Sequence, residues 1–285
     1  MRCDVCFRHC EIEEGATGFC GARGLRDGKI VALNYGKVTS LALDPIEKKP
    51  LHRFHPGSRI LSVGSYGCNL HCPFCQNADI SWSKQAMRYE RTAEELTPSE
   101  LAEIAVSAKD RGNIGVAFTY NEPLIGYEFV LDTAKLVHDA GLCNVLVTNG
   151  CVTAPVLEKL SPYIDAMNID LKGFTDRYYR EVLKGDLETV KDAIRQAVTF
   201  CHVELTTLIV PGENDSEEEM RAISSFIADL KDASGARIGD KIPLHISRFF
   251  PQFKMLDREA TDVSLIYRLK EIAGEKLRYV YTGNC

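Results

Sequence analysis

The sequence lacks a long hydrophobic run, an excess of positive charge and a low-complexity segment. No stretch approaches about 18 uninterrupted apolar residues, so we expect no membrane-spanning helix. The first ten residues, MRCDVCFRHC, contain no apolar segment typical of a secretory signal, which predicts a cytoplasmic protein. The net charge of −6 argues against a broad nucleic-acid-binding surface. We therefore expect neither a membrane nor a nucleic acid as a partner.

The composition is that of a folded globular protein. Apolar residues make up 45% of the chain and charged residues 26%, which excludes disorder as its main character. The length of 285 residues suits one or two domains, or a single α/β barrel.

From residue 59 onward, short apolar strand candidates alternate with helix candidates. The main strand candidates span 59–64, 114–119, 143–148, 164–171, 203–210 and 242–249, with a last one at 278–281. The helix candidates span 97–110, 127–140, 154–160, 187–200, 216–230 and 261–273. This alternation predicts a parallel sheet with right-handed crossovers, closed either as a doubly wound sheet or as a partial barrel of six βα units. Both place ligands at the carboxyl ends of the strands.

The region before residue 59 has a different character. It is rich in Cys and Gly, and residues 29–44 (KIVALNYGKVTSLALD) predict a β-hairpin that turns near Tyr35 and Gly36. We therefore divide the chain into an N-terminal segment, 1–58, with a Cys-rich metal knuckle and a hairpin, and a core, 59–285.

Eleven cysteines are present, and seven of them fall in the first 75 residues in two tight groups. Clustered cytosolic cysteines indicate metal ligands before disulfides. The loop after the first core strand holds Cys68, Cys72 and Cys75 as C-x3-C-x2-C, hereafter the core trio. Three thiolates on a [4Fe–4S] cluster leave one iron without a protein ligand, and an open position is what a catalytic metal site needs. The alternative is a zinc site completed by His71 or by a distant cysteine.

The core trio, with Phe74 before its third cysteine and Gln76 after it, resembles the radical S-adenosylmethionine (SAM) superfamily. The resemblance implies an α/β fold with a partial (β/α)6 TIM-like barrel. It also implies a [4Fe–4S] cluster on the trio as the catalytic centre, and SAM as a second cofactor.

Loops after later strands extend this resemblance. TYNEP at 119–123 stands where the family has Gly-Gly-Glu-Pro, followed by TNG at 148–150, DLK at 170–172 and PLH at 243–245. By resemblance, Glu122 binds the amino group of SAM, Asp170 and Lys172 contact its methionyl end, and His245 contacts its ribose. A zwitterionic aminoacyl group needs an acid and a cation, and Glu122 and Lys172 are of the right type. The implied cofactor-binding residues are Phe74, Gln76, Asn121, Glu122, Thr148, Asp170, Lys172 and His245.

The order of these landmarks is similar to that in glycyl-radical-enzyme activating enzymes, such as the pyruvate formate-lyase activating enzyme. The segments DPIEKKPL, CQN and TYNEP resemble one subgroup more closely, the radical SAM enzymes of the AmmeMemoRadiSam system. The resemblance implies reductive cleavage of SAM to a 5′-deoxyadenosyl radical that abstracts hydrogen from a substrate. Two alternatives stay open: a radical SAM enzyme that modifies a small molecule or another protein residue, and a non-catalytic iron–sulfur or zinc scaffold.

The other group is Cys3, Cys6, Cys10 and Cys20, hereafter the N-terminal quartet, with the spacing C-x2-C-x3-C-x9-C. Four cysteines can close a zinc site or hold a second Fe–S cluster, and the spacing does not decide between them. Free thiols in a flexible tail are the alternative. Electron relay and docking of a partner protein are both open as roles.

The predicted chemistry needs partners and protection from solvent. We expect SAM, a reductant such as flavodoxin or ferredoxin, and a substrate for which a protein is one candidate. A radical must be kept from water and thiols, so we expect the segments 44–58 and 78–92 to act as lids over the site.

Overall fold

The computed structural model describes residues 1–285. It contains twelve strands: β1 Arg23–Arg26, β2 Lys29–Ala32, β3 Lys37–Val38, β4 Ser40–Pro45, β5 Arg59–Gly64, β6 Glu94–Glu95, β7 Asn113–Phe118, β8 Cys143–Thr148, β9 Ala166–Asp170, β10 His202–Ile209, β11 Leu244–Arg248 and β12 Val280–Gly283. It contains eight α-helices: α1 Ala78–Ser81, α2 Tyr89–Thr92, α3 Pro98–Ser107, α4 Tyr127–Asp139, α5 Ala154–Leu160, α6 Leu187–Ala197, α7 Glu217–Ala228 and α8 Val263–Gly274. None of these helices combines the length and apolar composition needed to cross a bilayer.

Eight strands form the central sheet, in the order β12-β11-β10-β9-β8-β7-β5-β4. All neighbouring pairs are parallel except β4 with β5, and the edge strands β4 and β12 do not pair with each other. The strands from β5 to β11 alternate with helices, as in a partial barrel of six βα units. The predicted fold class is thereby confirmed, with β12 added at one edge.

Local signals explain why the helices begin where they do. At the start of α3, the Thr97 hydroxyl accepts a hydrogen bond from the backbone N–H of Glu100, and the Glu100 carboxylate accepts one from the backbone N–H of Thr97. Pro98 occupies the first helical position. Asp186, Ser216 and Asp262 cap α6, α7 and α8 in the same way, each with a side-chain oxygen that accepts a backbone N–H.

The predicted hairpin over 29–44 is wrong. Strand β2 instead pairs antiparallel with the strand before it, β1. Strand β4 runs antiparallel along the outer edge of β5, with Ser40 opposite Gly64 and Pro45 opposite Arg59. The physical reason is that the exposed edge of β5 offers a longer hydrogen-bonding partner than a local hairpin does. The N-terminal segment therefore contributes one strand to the sheet of the core.

The segment 44–58 closes the opposite end of the barrel from the one we expected. Ile46 and Leu51 are fully buried against Ile60, Val145 and Ala166, which lie at or near the first residues of their strands. The segment therefore forms a floor at the amino ends of the strands, from which Lys48 and Lys49 also line the cavity described below. Two apolar side chains in a polar, proline-rich stretch explain this placement, because they need a core to enter.

The first 21 residues are packed against the barrel. Cys3, Val5 and Ile12 belong to the main hydrophobic core. Thr153, which follows β8, donates its backbone N–H to the carbonyl of Val5 at 3.1 Å. The alternative of free thiols in a flexible tail does not describe this ordered segment.

Candidate active site

One cavity of about 460 Å³ opens at the carboxyl ends of the parallel strands. This volume lies within the range of small-molecule and cofactor pockets. Ten of the residues predicted from the sequence line it: Cys68, Cys72, Phe74, Cys75, Gln76, Asn121, Glu122, Thr148, Asp170 and Lys172. The loops after β5, β7, β8 and β9 thus converge, as parallel strands require of their carboxyl ends.

The core trio lies in the loop after β5, on the wall of this cavity. The Cys68 sulfur accepts a hydrogen bond from the backbone N–H of Leu70 at 3.4 Å, and the side-chain amide nitrogen of Asn149 lies 3.6 Å from it. Burial raises the pKa of Cys72 to about 12 and that of Cys68 well above its ordinary value. In this environment a bound cation is what stabilises the thiolate forms.

Ligand spacing distinguishes a cluster from a single ion at the trio. No three His, Cys, Asp or Glu side chains in the structure are arranged to hold one metal ion. A zinc site draws its sulfurs to about 2.3 Å from one point, whereas the thiolates of a cubane surround a larger inorganic core. His71, the proposed zinc ligand, is instead stacked between Phe19 and Trp82, with ring centroids at 3.8 and 4.5 Å. The geometry therefore disfavours the zinc alternative.

Glu122 is 3% exposed, and protein donors fix both of its carboxylate oxygens. Oε1 accepts hydrogen bonds from the Thr148 hydroxyl at 2.7 Å and the Leu124 N–H at 3.0 Å. Oε2 accepts one from the Asn149 N–H at 2.7 Å. Burial raises the pKa of Glu122 to about 7, against the opposing effect of these donors. Glu122 is therefore an oriented acceptor on the cavity wall.

Lys172 supplies a positive charge to the same cavity. Its ammonium group forms an ion pair with Asp170 at 2.7 Å. Burial disfavours the charged form, but Asp170 and the nearby Cys72 thiol outweigh it and raise the pKa of Lys172 well above its ordinary value. The Tyr179 hydroxyl accepts the backbone N–H of Lys172 at 3.0 Å and fixes the chain at this point. A cavity lined by an acid, Glu122, and a cation, Lys172, can bind the ammonium and carboxylate groups of a zwitterionic ligand.

The departure from Gly-Gly at 120–121 has a structural explanation. Tyr120 has a φ of 72°, in the left-handed region that favours glycine. Its hydroxyl donates to Asp44 at 2.8 Å. Asn121 ties the two loops together, because its oxygen accepts the Ser65 N–H at 3.0 Å and its nitrogen donates to the Gly67 carbonyl at 3.1 Å. Tyr120 therefore contacts Asp44 near the barrel floor, and Asn121 stabilises the loop that carries the core trio.

His245 is the one predicted core-site residue that does not line the cavity. It is the second residue of β11, near the amino end of the strand, and its Nε2 lies 2.7 Å from Glu204 Oε2. Glu204 is fully buried and also accepts the backbone N–H groups of His52 and Arg53. His245 therefore belongs to a polar cluster at the barrel floor, and Ser247, two residues further along β11, is the one that faces the cavity.

Two further lining residues, Asn149 and Trp82, have a clear role. Asn149 donates to Glu122 from its backbone and contacts Cys68 from its side chain, and it joins the acid to the trio. Its position in the TNG motif was a signal that could have found it. Trp82 lines the cavity, and its indole N–H is buried without a hydrogen-bond partner. No pattern in the sequence identifies this buried, unpaired N–H group, which is available to donate a hydrogen bond to a ligand.

The N-terminal quartet is also brought together, around a second and much smaller cavity of about 10 Å³. All four cysteines line it, as do Arg8 and Arg23. Burial raises the pKa of Cys20 to about 11, against the opposing effect of the Ala22 and Arg23 backbone N–H groups.

The side chains around the larger cavity fit the cofactor pair that the trio implies. Three thiols from one loop match a cluster with one free iron position. Glu122 and Lys172 match an amino and a carboxylate group, and the unpaired indole N–H of Trp82 offers a further donor.

Comparison with known sequences agrees with this chemistry. A family model of the radical SAM superfamily matches residues 62–222. An uncharacterized protein of Methanocaldococcus jannaschii is 41% identical over 287 residues, covering 100% of this chain and 81% of that protein. The pyruvate formate-lyase-activating enzyme of Clostridium pasteurianum is 27% identical over 230 residues, covering 78% of this chain and 92% of that enzyme.

Solved structures share the fold. A domain of the pyruvate-formate lyase-activating enzyme from Bacteroides vulgatus superimposes with a TM-score of 0.51 at 16% identity, over 60% of this chain and 99% of that one. Streptococcus suis SuiB, bound to its precursor peptide SuiA, superimposes with a TM-score of 0.58 at 13% identity, over 77% of this chain and 47% of that one. Because the family model covers more than half of the chain and one relative is similar along all of it, the chain belongs to the radical SAM superfamily, whose members use a [4Fe–4S] cluster and SAM, and it is similar to the glycyl-radical enzyme activating enzymes.

Proposed function

We propose that this chain is a radical SAM enzyme with the organisation of a glycyl-radical-enzyme activating enzyme, and that the core trio holds its catalytic cluster. The observation that carries the proposal is the convergence of ten residues, chosen from the sequence alone, on one cavity of about 460 Å³. When bound, the cluster and SAM supply reductive cleavage to a 5′-deoxyadenosyl radical that abstracts a hydrogen atom from substrate.

The residues around the cavity bind and orient SAM. Glu122, held by Thr148 and Asn149, accepts hydrogen bonds from the amino group. Lys172, held by Asp170, donates to the carboxylate. These contacts fix the methionyl end beside the trio, so that the reacting bond is oriented before chemistry begins.

The substrate has access through the same mouth. A protein or peptide substrate is supported by the similarity to activating enzymes of Clostridium pasteurianum and Clostridioides difficile, and by the shared fold with SuiB bound to its precursor peptide. The segment 78–92 contributes Ser81 and Trp82 to the cavity wall, which supports its role in covering the site.

Formation of 5′-deoxyadenosine tests this proposal. The anaerobically reconstituted full chain, reduced with dithionite and given SAM, is expected to yield 5′-deoxyadenosine and methionine. Cys72→Ala is expected to abolish the yield, because it removes one trio ligand. The matched control is Cys285→Ala, since Cys285 is exposed and belongs to neither cysteine group. No product from the wild type with its cluster confirmed, or full product from Cys72→Ala, would overturn the assignment.

A further inference from the structure

We propose that the N-terminal quartet holds a second iron–sulfur cluster and that this cluster exchanges electrons with the one on the core trio. The first part stands on the quartet alone. The electron exchange rests on the proposed function, because it needs a cluster at the trio to receive the electron.

The quartet is a largely buried site within the fold. Cys3, Cys6 and Cys20 are each less than 9% exposed. The chain turns tightly around them, since the Cys3 N–H donates to the Cys10 carbonyl at 2.9 Å and the His9 N–H to the Cys6 carbonyl at 3.2 Å. Four thiols from one short segment therefore face a common interior, as a closed four-cysteine metal shell requires.

A buried arginine beside the thiols has one N–H group without a hydrogen-bond partner. Arg23 is 5% exposed and lines the small cavity, and one terminal nitrogen of its guanidinium binds Glu128 at 2.6 Å. Its Nε is buried and has no hydrogen-bond partner. A buried donor without an acceptor is unfavourable, so this group points to an anionic ligand in the cavity. Arg8 lines the same cavity and adds a second positive charge.

Sulfur separation favours a cluster over zinc. Four sulfurs at about 2.3 Å from a single ion leave no room for even a water-sized sphere between them. Here the quartet encloses a cavity of about 10 Å³, close to the room that one water needs, and no three of its side chains are arranged for a single ion. Space between the four cysteines suits the inorganic core of a cubane, whose sulfides lie between the thiolates.

The two cysteine groups touch through the backbone. The Cys68 N–H donates to the Cys20 carbonyl at 3.2 Å, so a path between the two ligand sulfurs runs through these residues and one hydrogen bond. A side chain at Gly67 would meet the Cys20 carbonyl oxygen at 2.9 Å and Ala22 Cβ at 2.7 Å, and glycine alone permits this approach.

A second bridge runs through two asparagines. Arg8, which lines the quartet cavity, donates to the Asn69 carbonyl at 3.1 Å. The Asn69 side chain accepts a hydrogen bond from Asn149 at 2.9 Å, and the same Asn149 amide lies 3.6 Å from the Cys68 sulfur. The quartet is thus linked to the trio twice. Such contact allows an electron from a one-electron donor protein to reduce the quartet cluster by one electron and then pass to the trio cluster, with no bond made or broken.

Metal content tests the first part of the proposal without SAM or activity. The full chain and the variant Cys68→Ser/Cys72→Ser/Cys75→Ser are reconstituted anaerobically with ferrous iron and sulfide, and iron, zinc and sulfide are measured. We expect about eight iron atoms per wild-type chain and about four in the variant, with matching sulfide. Zinc at about one per chain in the variant without sulfide, or a variant with no metal, would overturn the second cluster.

Paramagnetic resonance of the dithionite-reduced samples tests the electron exchange. In the trio variant the quartet cluster is expected to relax slowly, and in the wild type its signal is expected to broaden and to saturate at higher power, because a second paramagnet lies nearby. An unchanged quartet signal in the wild type would overturn the coupling. If the wild type instead shows this coupling and yet cleaves no SAM, the proposed function fails while the second cluster stands.

Discussion

The core trio and the N-terminal quartet are both built from cysteines on short loops, but they face cavities of very different size. The trio stands beside about 460 Å³ of space lined by charged and polar side chains, and the quartet surrounds about 10 Å³. Three ligands and an open pocket suit a site that binds and converts a second molecule. Four ligands and a small cavity suit a site that holds a metal group and binds no second molecule.

The two sites also differ in the contacts that hold the surrounding chain in place. The trio loop follows β5 and is held by Asn121 and Asn149 and by the hydrogen bond from the His71 N–H to the Leu183 carbonyl at 2.9 Å. The quartet segment has no regular sheet or helix of its own between residues 1 and 22, and it packs on the barrel through a few apolar side chains such as Val5 and Ile12. We infer that metal matters for chemistry at the trio and for folding at the quartet.

The largest expected effect separates these two roles. Cys72→Ser is expected to abolish 5′-deoxyadenosine formation and to change the unfolding midpoint little. Cys20→Ser is expected to lower the midpoint of the reconstituted protein by about 10 °C or more, because loss of a structural metal removes several kcal/mol. Calorimetry under anaerobic conditions measures both. A larger midpoint loss in Cys72→Ser than in Cys20→Ser would reverse the comparison.

The next prediction tests whether the cavity beside the trio binds SAM. Lys172→Met removes the cation that we propose binds the carboxylate of SAM, and a charged hydrogen bond contributes about 1.5–3 kcal/mol. We expect SAM to bind about 10- to 100-fold more weakly, with iron content unchanged at both sites. Equilibrium binding of SAM to the anaerobic protein measures this, with Lys276→Met as the exposed control. Equal affinity in Lys172→Met and the control would contradict the assignment.

A smaller effect concerns pH at the same pocket. The pKa of Glu122 lies at about 7, above its ordinary value, so the carboxylate ionises as pH rises through neutrality. Only the ionised form offers both oxygens as acceptors to the amino group of SAM. SAM affinity is therefore expected to rise about tenfold between about pH 6 and about pH 8. Glu122→Gln has no such ionisation, and a pH dependence identical to that of the wild type would show that another group is responsible.

The sequence allowed much of the barrel and most of the pocket to be predicted, for a physical reason. Strands such as Arg59–Gly64 and Cys143–Thr148 are buried on both faces and carry their apolar pattern locally. Parallel pairing then places the loops after them at one end, which is why Cys68, Glu122 and Lys172 meet.

Contacts between segments distant in sequence could not be predicted in this way. The pairing of Ser40–Pro45 with the edge of β5 depends on which edge is free in the finished sheet. The burial of Leu51 under the barrel depends on a core that the segment 44–58 does not itself contain. The hydrogen bond between Cys20 and Cys68 joins two regions that no local pattern connects.

His245 gives the smallest expected effect, because the structure places it below the pocket. Its ring bonds to the buried Glu204, whose pKa falls to about 2 because hydrogen bonds from His202, His245 and two backbone N–H groups outweigh burial. A carboxylate with a lowered pKa stabilises the fold above its ordinary value of about 4.5 and loses that contribution as pH falls towards 2. His245→Asn is therefore expected to lower stability most above about pH 4.5, to lower it progressively less as pH falls towards 2, and to leave SAM affinity within about twofold. A loss of SAM affinity as large as that expected for Lys172→Met would contradict this placement. It would show that His245 contributes to SAM binding and that the barrel floor and the cavity are coupled.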